Sequence, residues 1–204
     1  MKFDATLIDA ATGNLHSVWN ALTHLGYTIR VTADPNDLRE PGRVILPGVG
    51  AFGSFMDGLR LRGLDGALRQ VCQRGDPLLG ICVGMQALFD ASLELGEHAG
   101  LGLLPGRVVR FPPLPDLKIP QTGWNQLWFR RASPLFAGLE AGAYAYFNHS
   151  YYCAAQDPRD VLAHTDYGLD VPCAVQRGNL YGVQFHPEKS QRVGLAILAN
   201  FFAL

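Results

Sequence analysis

The chain has no marked excess of either charge, because its 17 Lys and Arg nearly balance its 18 Asp and Glu. The net charge of −1 gives no electrostatic reason to bind nucleic acid or an anionic membrane surface. No apolar run reaches the roughly 18 residues that a membrane-spanning helix needs. Asp4 and Asp9 interrupt the N-terminal segment, which therefore does not resemble a signal peptide. We predict a cytoplasmic protein that contacts neither nucleic acid nor membrane.

Cysteine is sparse, and its spacing excludes a zinc finger or a dithiol motif. Cys72, Cys82, Cys153 and Cys173 form no C-x-x-C pair. We expect neither a metal nor a cofactor, and reduced thiols as in cytosolic proteins. Repeats and low-complexity tracts are also missing. With 204 residues, 48% of them hydrophobic, the chain is long enough for one packed domain and short for two, so we predict a single domain over residues 1–204.

Strand-like and helical runs alternate in the first half of the chain, whereas the second half is richer in strands. Alternation of this kind is typical of a mostly parallel sheet covered by helices. We predict an α/β fold with a mostly parallel central sheet flanked by helices and a smaller antiparallel β lobe in the second half. Predicted strands cover residues 6–9, 27–32, 43–48, 77–82, 106–111, 125–130, 143–152, 161–168 and a hairpin over 171–185; predicted helices cover 15–25, 64–74, 191–204 and a segment from about residue 55. Residues 112–120 are predicted to form a rigid loop.

The stretch PLLGICVGMQ (77–86) ends an apolar strand on a cysteine between two glycines. Gly80 to Gly84 has the G-x-nucleophile-x-G spacing, in which a sharp strand-to-helix turn lifts one side chain off the sheet. Glycines relieve the crowding there, and a helix N-terminus favours the thiolate of Cys82. We predict that residues 86–89 are helical. The alternative to a nucleophilic Cys82 is a structural cysteine buried in a strand.

A cysteine nucleophile needs a base, and the base needs an orienting group. His186 lies where the apolar run Tyr181–Phe185 meets a proline turn, and Glu188 follows two residues later. Strand ends carry the chemistry of α/β folds, and a carboxylate there would set the imidazole tautomer. Cys82, His186 and Glu188 are therefore a candidate triad, with a surface His–Glu pair as the alternative.

Acyl transfer also needs backbone N–H donors for the developing oxyanion. The residue after the nucleophile, Val83, is one candidate. The glycine-rich segment LPGVGAFG (46–53) is a second, because its glycines let amides approach a ligand or rotate. The alternative for this segment is a phosphate-binding loop, since it also matches G-x-G-x-x-G, although no acidic residue stands plainly at the end of a following strand.

These residues resemble the class I glutamine amidotransferases, which use a Cys-His-Glu triad. GICVGMQ and GVQFHPEKS resemble their catalytic segments, and LPGVGAFG resembles their oxyanion strand. TGNLHSV, PQTGWNQL and YFNHSYY further resemble the glutaminase subunits of imidazole glycerol phosphate synthases. The resemblance extends from about Leu7 to the C-terminus.

The resemblance implies hydrolysis of the side-chain amide of glutamine. Cys82 would form a glutamyl thioester, His186 would protonate the leaving ammonia and then activate water, and Glu188 would orient His186. The oxyanion would be bound by Val83, Val49 and Gly50. Further residues implied to surround glutamine are Gly48, Gly50, Gln86, His149, Ser150 and Tyr151.

The resemblance also implies a heterodimer with a separate (β/α)8-barrel cyclase subunit. The barrel would receive the ammonia and make imidazole glycerol phosphate and an aminoimidazole carboxamide ribonucleotide for histidine biosynthesis. Binding of its nucleotide would activate the glutaminase by turning the Val49 peptide. Residues implied to face this partner are Asn14, Trp124, Tyr146 and Lys189. The chain departs from the family pattern at Ala10-Ala11 and at Asn148.

Two alternatives stay open. Glutaminases of anthranilate, guanylate or cytidylate synthesis share the fold and triad, but they commonly lack Met at the position of Met85 and a PxxGWN-like segment. A redox sensor or binding module with an elbow cysteine is the other alternative. The His186-Pro187-Glu188 turn disfavours this second alternative, because a redox sensor needs no matched base and orienting group.

Overall fold

The computed structural model of the chain describes residues 3–11, 14–113 and 117–204. Thirteen strands and five α-helices lie within these residues. The strands are β1 (Ala5–Ile8), β2 (Ile29–Thr32), β3 (Arg43–Gly48), β4 (Leu78–Cys82), β5 (Phe89–Ser92), β6 (His98–Ala99), β7 (Leu104–Arg110), β8 (Gln121–Phe129), β9 (Ala143–His149), β10 (Tyr151–Ala155), β11 (Val161–Asp166), β12 (Asp170–Arg177) and β13 (Leu180–Val183). The helices are α1 (Leu15–His24), α2 (Phe52–Leu61), α3 (Leu64–Arg74), α4 (Val83–Gln86) and α5 (Gln191–Phe202).

A nine-stranded sheet with the order β2-β1-β3-β4-β13-β12-β11-β8-β9 forms the centre of the molecule. The pairs from β2 to β13 in this order are parallel, and the pairs from β13 to β9 are antiparallel. A smaller sheet has the order β10-β7-β5-β6. The predicted α/β class with a second, smaller β unit is confirmed. Most antiparallel strands of the second half extend the central sheet, however, rather than forming a lobe of their own.

The helices bury apolar stripes against this sheet. Val18 and Leu22 of α1 and Leu64, Leu68 and Val71 of α3 are fully buried, at the spacing of three or four residues that places side chains on one helical face. The central strand β4 is buried at every position, as expected for a parallel strand inside a sheet. None of the described helices is long and apolar enough to cross a membrane.

Two predicted elements differ from the structure. The helix predicted over residues 86–89 is wrong, because α4 ends at Gln86 and Phe89 begins β5. The carbonyl groups of Ala87 and Leu88 accept hydrogen bonds from the N–H groups of Leu101 and Leu103, at 2.7 and 2.8 Å, so they bind a neighbouring segment instead of a next helical turn.

The predicted strand over 143–152 is two strands, separated at Ser150. Strand β9 belongs to the central sheet and β10 to the smaller one. The chain therefore passes from one sheet to the other at the residues that were predicted to bind glutamine. Of the loop predicted over 112–120, residues 114–116 lie outside the described residues.

Candidate active site

Three neighbouring parallel strands bring the predicted site residues to one edge of the central sheet. Strand β3 ends at Gly48, β4 ends at Cys82, and β13 runs parallel to β4 and leads into His186. Gly48 and Cys82 are direct partners in the register of β3 and β4. Because the carboxyl ends of parallel strands share an edge, residues far apart in sequence meet there.

Cys82 occupies the sharp turn that its spacing predicts. Its φ of 54° and ψ of −112° form a sparsely populated combination for a residue with a side chain. A Cβ at Gly84 would lie 1.8 Å from the Leu46 carbonyl oxygen, and one at Gly80 would lie 2.6 Å from the Gly84 carbonyl oxygen. Both positions therefore require glycine, and the crowded turn holds the sulfur at the start of α4.

His186 and Glu188 form a buried pair beside this sulfur. The Nδ1 atom of His186 lies 2.9 Å from Oε1 of Glu188, whose carboxylate is shielded from solvent. This contact occupies Nδ1 and leaves Nε2 as the ring nitrogen available to exchange a proton with Cys82. Burial by itself would lower the pKa of His186, but the hydrogen bonds and negative charges of Cys82 and Glu188 outweigh burial and raise this pKa to about 10.

The turn that carries this pair is fastened to β9 and α5. The backbone N–H of His186 donates to the Tyr146 carbonyl at 2.9 Å, and the buried Ser190 hydroxyl accepts from the Tyr146 N–H while donating to the His186 carbonyl. A Cβ at Gly194 would lie 1.8 Å from the Pro187 carbonyl oxygen, so the first turn of α5 packs directly on this backbone. The position of the imidazole is therefore set by the tertiary structure around it.

The residues predicted to face a partner lie around the same turn. The Asn14 side-chain amide donates to Oε1 of Glu188 at 2.5 Å, so this residue contacts the candidate triad itself. The Lys189 ammonium lies 5.9 Å from the Tyr146 ring centroid, and Tyr146 packs edge-on against Trp124. Trp124 remains 44% exposed, which leaves an aromatic side chain at the surface beside the site.

A cavity of about 440 Å³ opens above the sulfur. It is lined by Asn14, Val49, Gly50, Cys82, Val83, Gln86, Glu94, Pro120, Asn148, His149, Ser150, Tyr151, His186 and Lys189. Most predicted site residues therefore come together here. Gly48 does not line the cavity, because it packs beneath it against Gly84 and Phe55, where a Cβ would lie 2.7 Å from both. Trp124 and Tyr146 also lie outside its lining.

His149 is a second buried histidine in this cavity. Its Nδ1 lies 2.8 Å from the Tyr151 carbonyl oxygen, which can only accept, so Nδ1 carries the proton. Burial lowers the pKa of His149 to about 4, helped by the charge of His186 and opposed by the Tyr151 hydrogen bond. The imidazole is therefore neutral at physiological pH. Its buried Nε2 has no hydrogen-bond partner among the described residues.

Two residues that the sequence analysis did not single out also contribute. Oε2 of Glu94 accepts from the backbone N–H of Phe52 at 2.7 Å, and Glu94 lines the cavity. The side-chain amide of Gln184 donates to the Cys82 sulfur at 3.7 Å. Gln184 lies inside the segment GVQFHPEKS that drew attention to His186, whereas no motif marked Glu94.

Comparison with known proteins shows the family to which the chain belongs. A family model described as glutamine amidotransferase class-I matches residues 6–204. The chain belongs to the class-I glutamine amidotransferase family. A relative from Moorella thermoacetica, named imidazole glycerol phosphate synthase subunit HisH, is 51% identical and aligns over 96% of this chain and 92% of its own length. A relative of the same name from Salinibacter ruber is 48% identical over 98% of this chain and 94% of its own.

The fold agrees with this membership. A crystal structure described as a glutamine amidotransferase superposes with a TM-score of 0.75, at 22% identity, covering 97% of this chain and 98% of that one. In this class-I amidotransferase, the alternative of a phosphate-binding loop also conflicts with the local geometry. The glycine segment leads into α2, whose Phe52 N–H already binds the Glu94 carboxylate. A phosphate at this helix N-terminus would have to displace a negative charge.

Proposed function

We propose that this protein is the glutaminase subunit of an imidazole glycerol phosphate synthase and supplies ammonia for histidine biosynthesis. The names of relatives that align with nearly the whole chain at about half identity support this assignment. The observation that carries the chemistry is the His186–Glu188 pair, joined at 2.9 Å, whose imidazole lines the same cavity as the strained Cys82. We assign residues 1–204 to one glutamine amidotransferase domain.

In the first half of the reaction, Cys82 transfers its proton to Nε2 of His186 and its sulfur attacks the carboxamide carbon of glutamine. The C–N bond then breaks as the imidazolium donates its proton to the leaving nitrogen. The products of this step are ammonia and a glutamyl thioester on Cys82. Glu188 keeps the proton on Nδ1 and stabilises the imidazolium.

In the second half, His186 takes a proton from water while the water oxygen attacks the thioester carbon. The C–S bond breaks, glutamate leaves, and the sulfur regains a proton from His186. The backbone N–H groups of Val83 and of the Val49–Gly50 segment bind the oxyanion in both halves. Gly50 has a φ of +88°, a value open to glycine at little cost, so the Val49–Gly50 peptide can reorient.

Glutamine binding falls to the cavity above the sulfur. Gln86, His149, Ser150 and Tyr151 face the substrate, and Gly48 supports the oxyanion segment from below. Both side-chain N–H groups of Gln86 are used internally, toward Tyr151 and Gln184, so its Oε1 is the atom that it offers to glutamine. Glu94 supplies a negative charge in the cavity lining for the α-ammonium group.

Ammonia passes to a cyclase (β/α)8-barrel subunit, with which this chain forms a heterodimer. Asn14, Trp124, Tyr146 and Lys189 face that partner. Their grouping around the His186 turn supports this, because a barrel docked there would lie beside the atom that releases ammonia. The exposed Trp124 adds the aromatic surface that protein interfaces favour.

The test is glutamate formation from glutamine by the chain alone, with a cyclase barrel subunit, and with that subunit plus its nucleotide ligand. Activity mainly in the third condition supports the proposal. Strong activity of the isolated chain, unaffected by the barrel, points to a glutaminase of another pathway. Inactivity in all three, with both proteins folded and bound, removes the proposal in favour of a non-catalytic role.

Cys82→Ala is the matched control for the nucleophile. We expect it to abolish glutamine hydrolysis, because no thioester can form, while it retains binding to the barrel in gel filtration. Hydrolysis at the unchanged rate would remove Cys82 from this role.

A further inference from the structure

A short chain of buried side-chain amides ends on the sulfur of Cys82. Gln184 is completely shielded from solvent and Gln86 is 3% exposed. Nε2 of Gln86 donates to Oε1 of Gln184 at 3.1 Å, and Nε2 of Gln184 donates to Cys82 Sγ at 3.7 Å. Buried amides of this kind are costly unless their polar atoms are paired, so the arrangement requires a physical reason.

The far end of the chain sets its direction. The Tyr151 carbonyl oxygen can only accept, and it receives Nε2 of Gln86 at 3.1 Å and Nδ1 of His149 at 2.8 Å. Gln86 must therefore turn its NH2 group toward Tyr151 and Gln184, which places the oxygen of Gln184 against that donor. The NH2 group of Gln184 is then left to face the sulfur, and the reversed orientation would set two NH2 groups against each other.

We infer that Gln184 is a further catalytic residue of this site, which stabilises the Cys82 thiolate by donating a hydrogen bond to its sulfur while Gln86 holds the amide in the donating orientation. A hydrogen bond becomes stronger when its acceptor becomes anionic. The bond is therefore strongest after Cys82 has given its proton to His186 and again when the sulfur leaves the thioester. This assignment rests on the proposed function, because it concerns the nucleophile of the same reaction.

The position of Gln184 explains why this donor comes from the segment that also carries the base. Gln184 follows β13 directly, and its backbone N–H bonds the Cys173 carbonyl at 2.9 Å. His186 comes two residues later, after one intervening buried phenylalanine. The chain bends at Gln184 and Phe185, and the side chains of Gln184 and His186 both lie at the site of Cys82.

The test is alkylation of Cys82 by iodoacetamide as a function of pH, followed by mass spectrometry of the Cys82 peptide. This readout needs neither glutamine nor a partner, so it is independent of the proposed function. In Gln184→Met, which keeps a side chain of similar length but has no donor, we expect alkylation about tenfold slower than wild type near neutral pH. The two rates should converge in strong alkali, where the thiolate forms without help.

Equal rates near neutral pH in a folded Gln184→Met protein would overturn the inference. A rate lowered by the same factor at every pH would also overturn it, because blocked access and not thiolate stability would then be the cause. Gln176→Met is the matched control, because the Gln176 side chain also makes internal hydrogen bonds, donating to Gly178 and Tyr181 and accepting from Ser133. We expect a wild-type profile for this variant.

Gln86→Met provides a second route if Gln184→Met does not fold. It retains the Gln184 donor but removes the group that orients it, so we expect a smaller reduction near neutral pH, about threefold. A wild-type profile for this variant would contradict the role assigned to the amide chain. If wild type hydrolyses glutamine but both variants alkylate normally, this inference fails while the proposed function stands.

Discussion

Two regions of the cavity shift the pKa of a buried histidine in opposite directions. In the turn after β13, His186 is 3% exposed, and its partners Cys82 and Glu188 raise its pKa to about 10 against the effect of burial. At the junction of β9 and β10, His149 is 6% exposed, and burial lowers its pKa to about 4. Burial is nearly the same in the two places, so the partner of each ring decides its charge.

The difference separates two kinds of chemistry within one cavity. A histidine paired with a carboxylate is suited to carry a proton between sulfur, leaving group and water. A histidine anchored by a backbone carbonyl stays neutral and presents a fixed acceptor, Nε2 in His149. Environments that push the pKa values of neighbouring groups apart commonly mark such a division of roles.

Removing the Glu188 carboxylate should abolish the difference in pKa between the two histidines and have the largest effect on activity. In Glu188→Gln, His186 keeps a partner of the same shape but loses the negative charge, so its pKa should fall toward that of His149. In assays with the proposed barrel subunit and its nucleotide, we expect kcat to fall about 10⁴-fold, because a neutral amide does not stabilise the imidazolium as a carboxylate does. NMR titration of the histidine side chains measures the pKa. Glu97→Gln, at a solvent-exposed position, is the control, and an unchanged His186 pKa would contradict the explanation.

The pH dependence of stability should show both histidines at once. The pKa of a histidine is near 6.5 in the unfolded chain, whereas that of His149 is about 4 in the folded protein. Between these two pH values the unfolded chain is protonated at His149 and the folded protein is not. Stability should therefore fall on the acid side, by about 3 kcal/mol from His149. The raised pKa of His186 contributes stability below about pH 6.5 that is lost as the pH rises toward 10.

Urea unfolding of the isolated chain across this pH range measures both parts of the stability profile, the acid limb assigned to His149 and the alkaline limb assigned to His186. We expect His149→Gln to flatten the acid limb and leave the alkaline one. An acid limb of unchanged slope in that variant would show that other groups produce it.

Substitution of His149 should distinguish its role from that of His186, because the two roles affect KM and kcat differently. We expect His149→Leu to raise the KM for glutamine about tenfold and to change kcat less than about threefold. The substitution removes a binding contact but does not remove a group that transfers protons. His164→Gln is the control, at a half-buried histidine of β11. A loss mainly in kcat would place His149 in the proton-transfer chemistry beside His186.

The smallest expected effect concerns Asn14, the residue just before α1, whose side chain contacts the Glu188 carboxylate of the candidate triad. In Asn14→Ala, Oε1 of Glu188 loses a hydrogen bond and retains its contact with His186. We expect kcat to fall about fivefold, the cost of one hydrogen bond to a charged group in a partly solvated place. Asn20→Ala, on the exposed side of the same helix, should leave kcat unchanged. An unaffected Asn14→Ala enzyme would limit this residue to the partner interface.

Local patterns in the sequence were enough to predict the α/β class, the elbow at Cys82 and the pairing of His186 with Glu188. These features depend on short-range rules: the periodicity of buried side chains, the glycines that a sharp turn demands, and a proline turn that brings a carboxylate back to a ring two residues away. The edge shared by parallel strands then makes the meeting of Cys82 and His186 predictable from topology.

The tertiary structure decided the contacts that no local pattern contains. Helix α4 ends at Gln86 because the next carbonyls bond residues 101–104, and the chain changes sheet at Ser150 because β9 and β10 find partners in different sheets. The opposite pKa shifts of His149 and His186 likewise arise from partners set by packing. Gln184 meets Cys82 across 102 positions and Asn14 meets Glu188 across 174. Such pairs depend on how whole elements pack, since hydrogen-bond geometry is defined within tenths of an ångström and only the assembled fold sets distances at that scale.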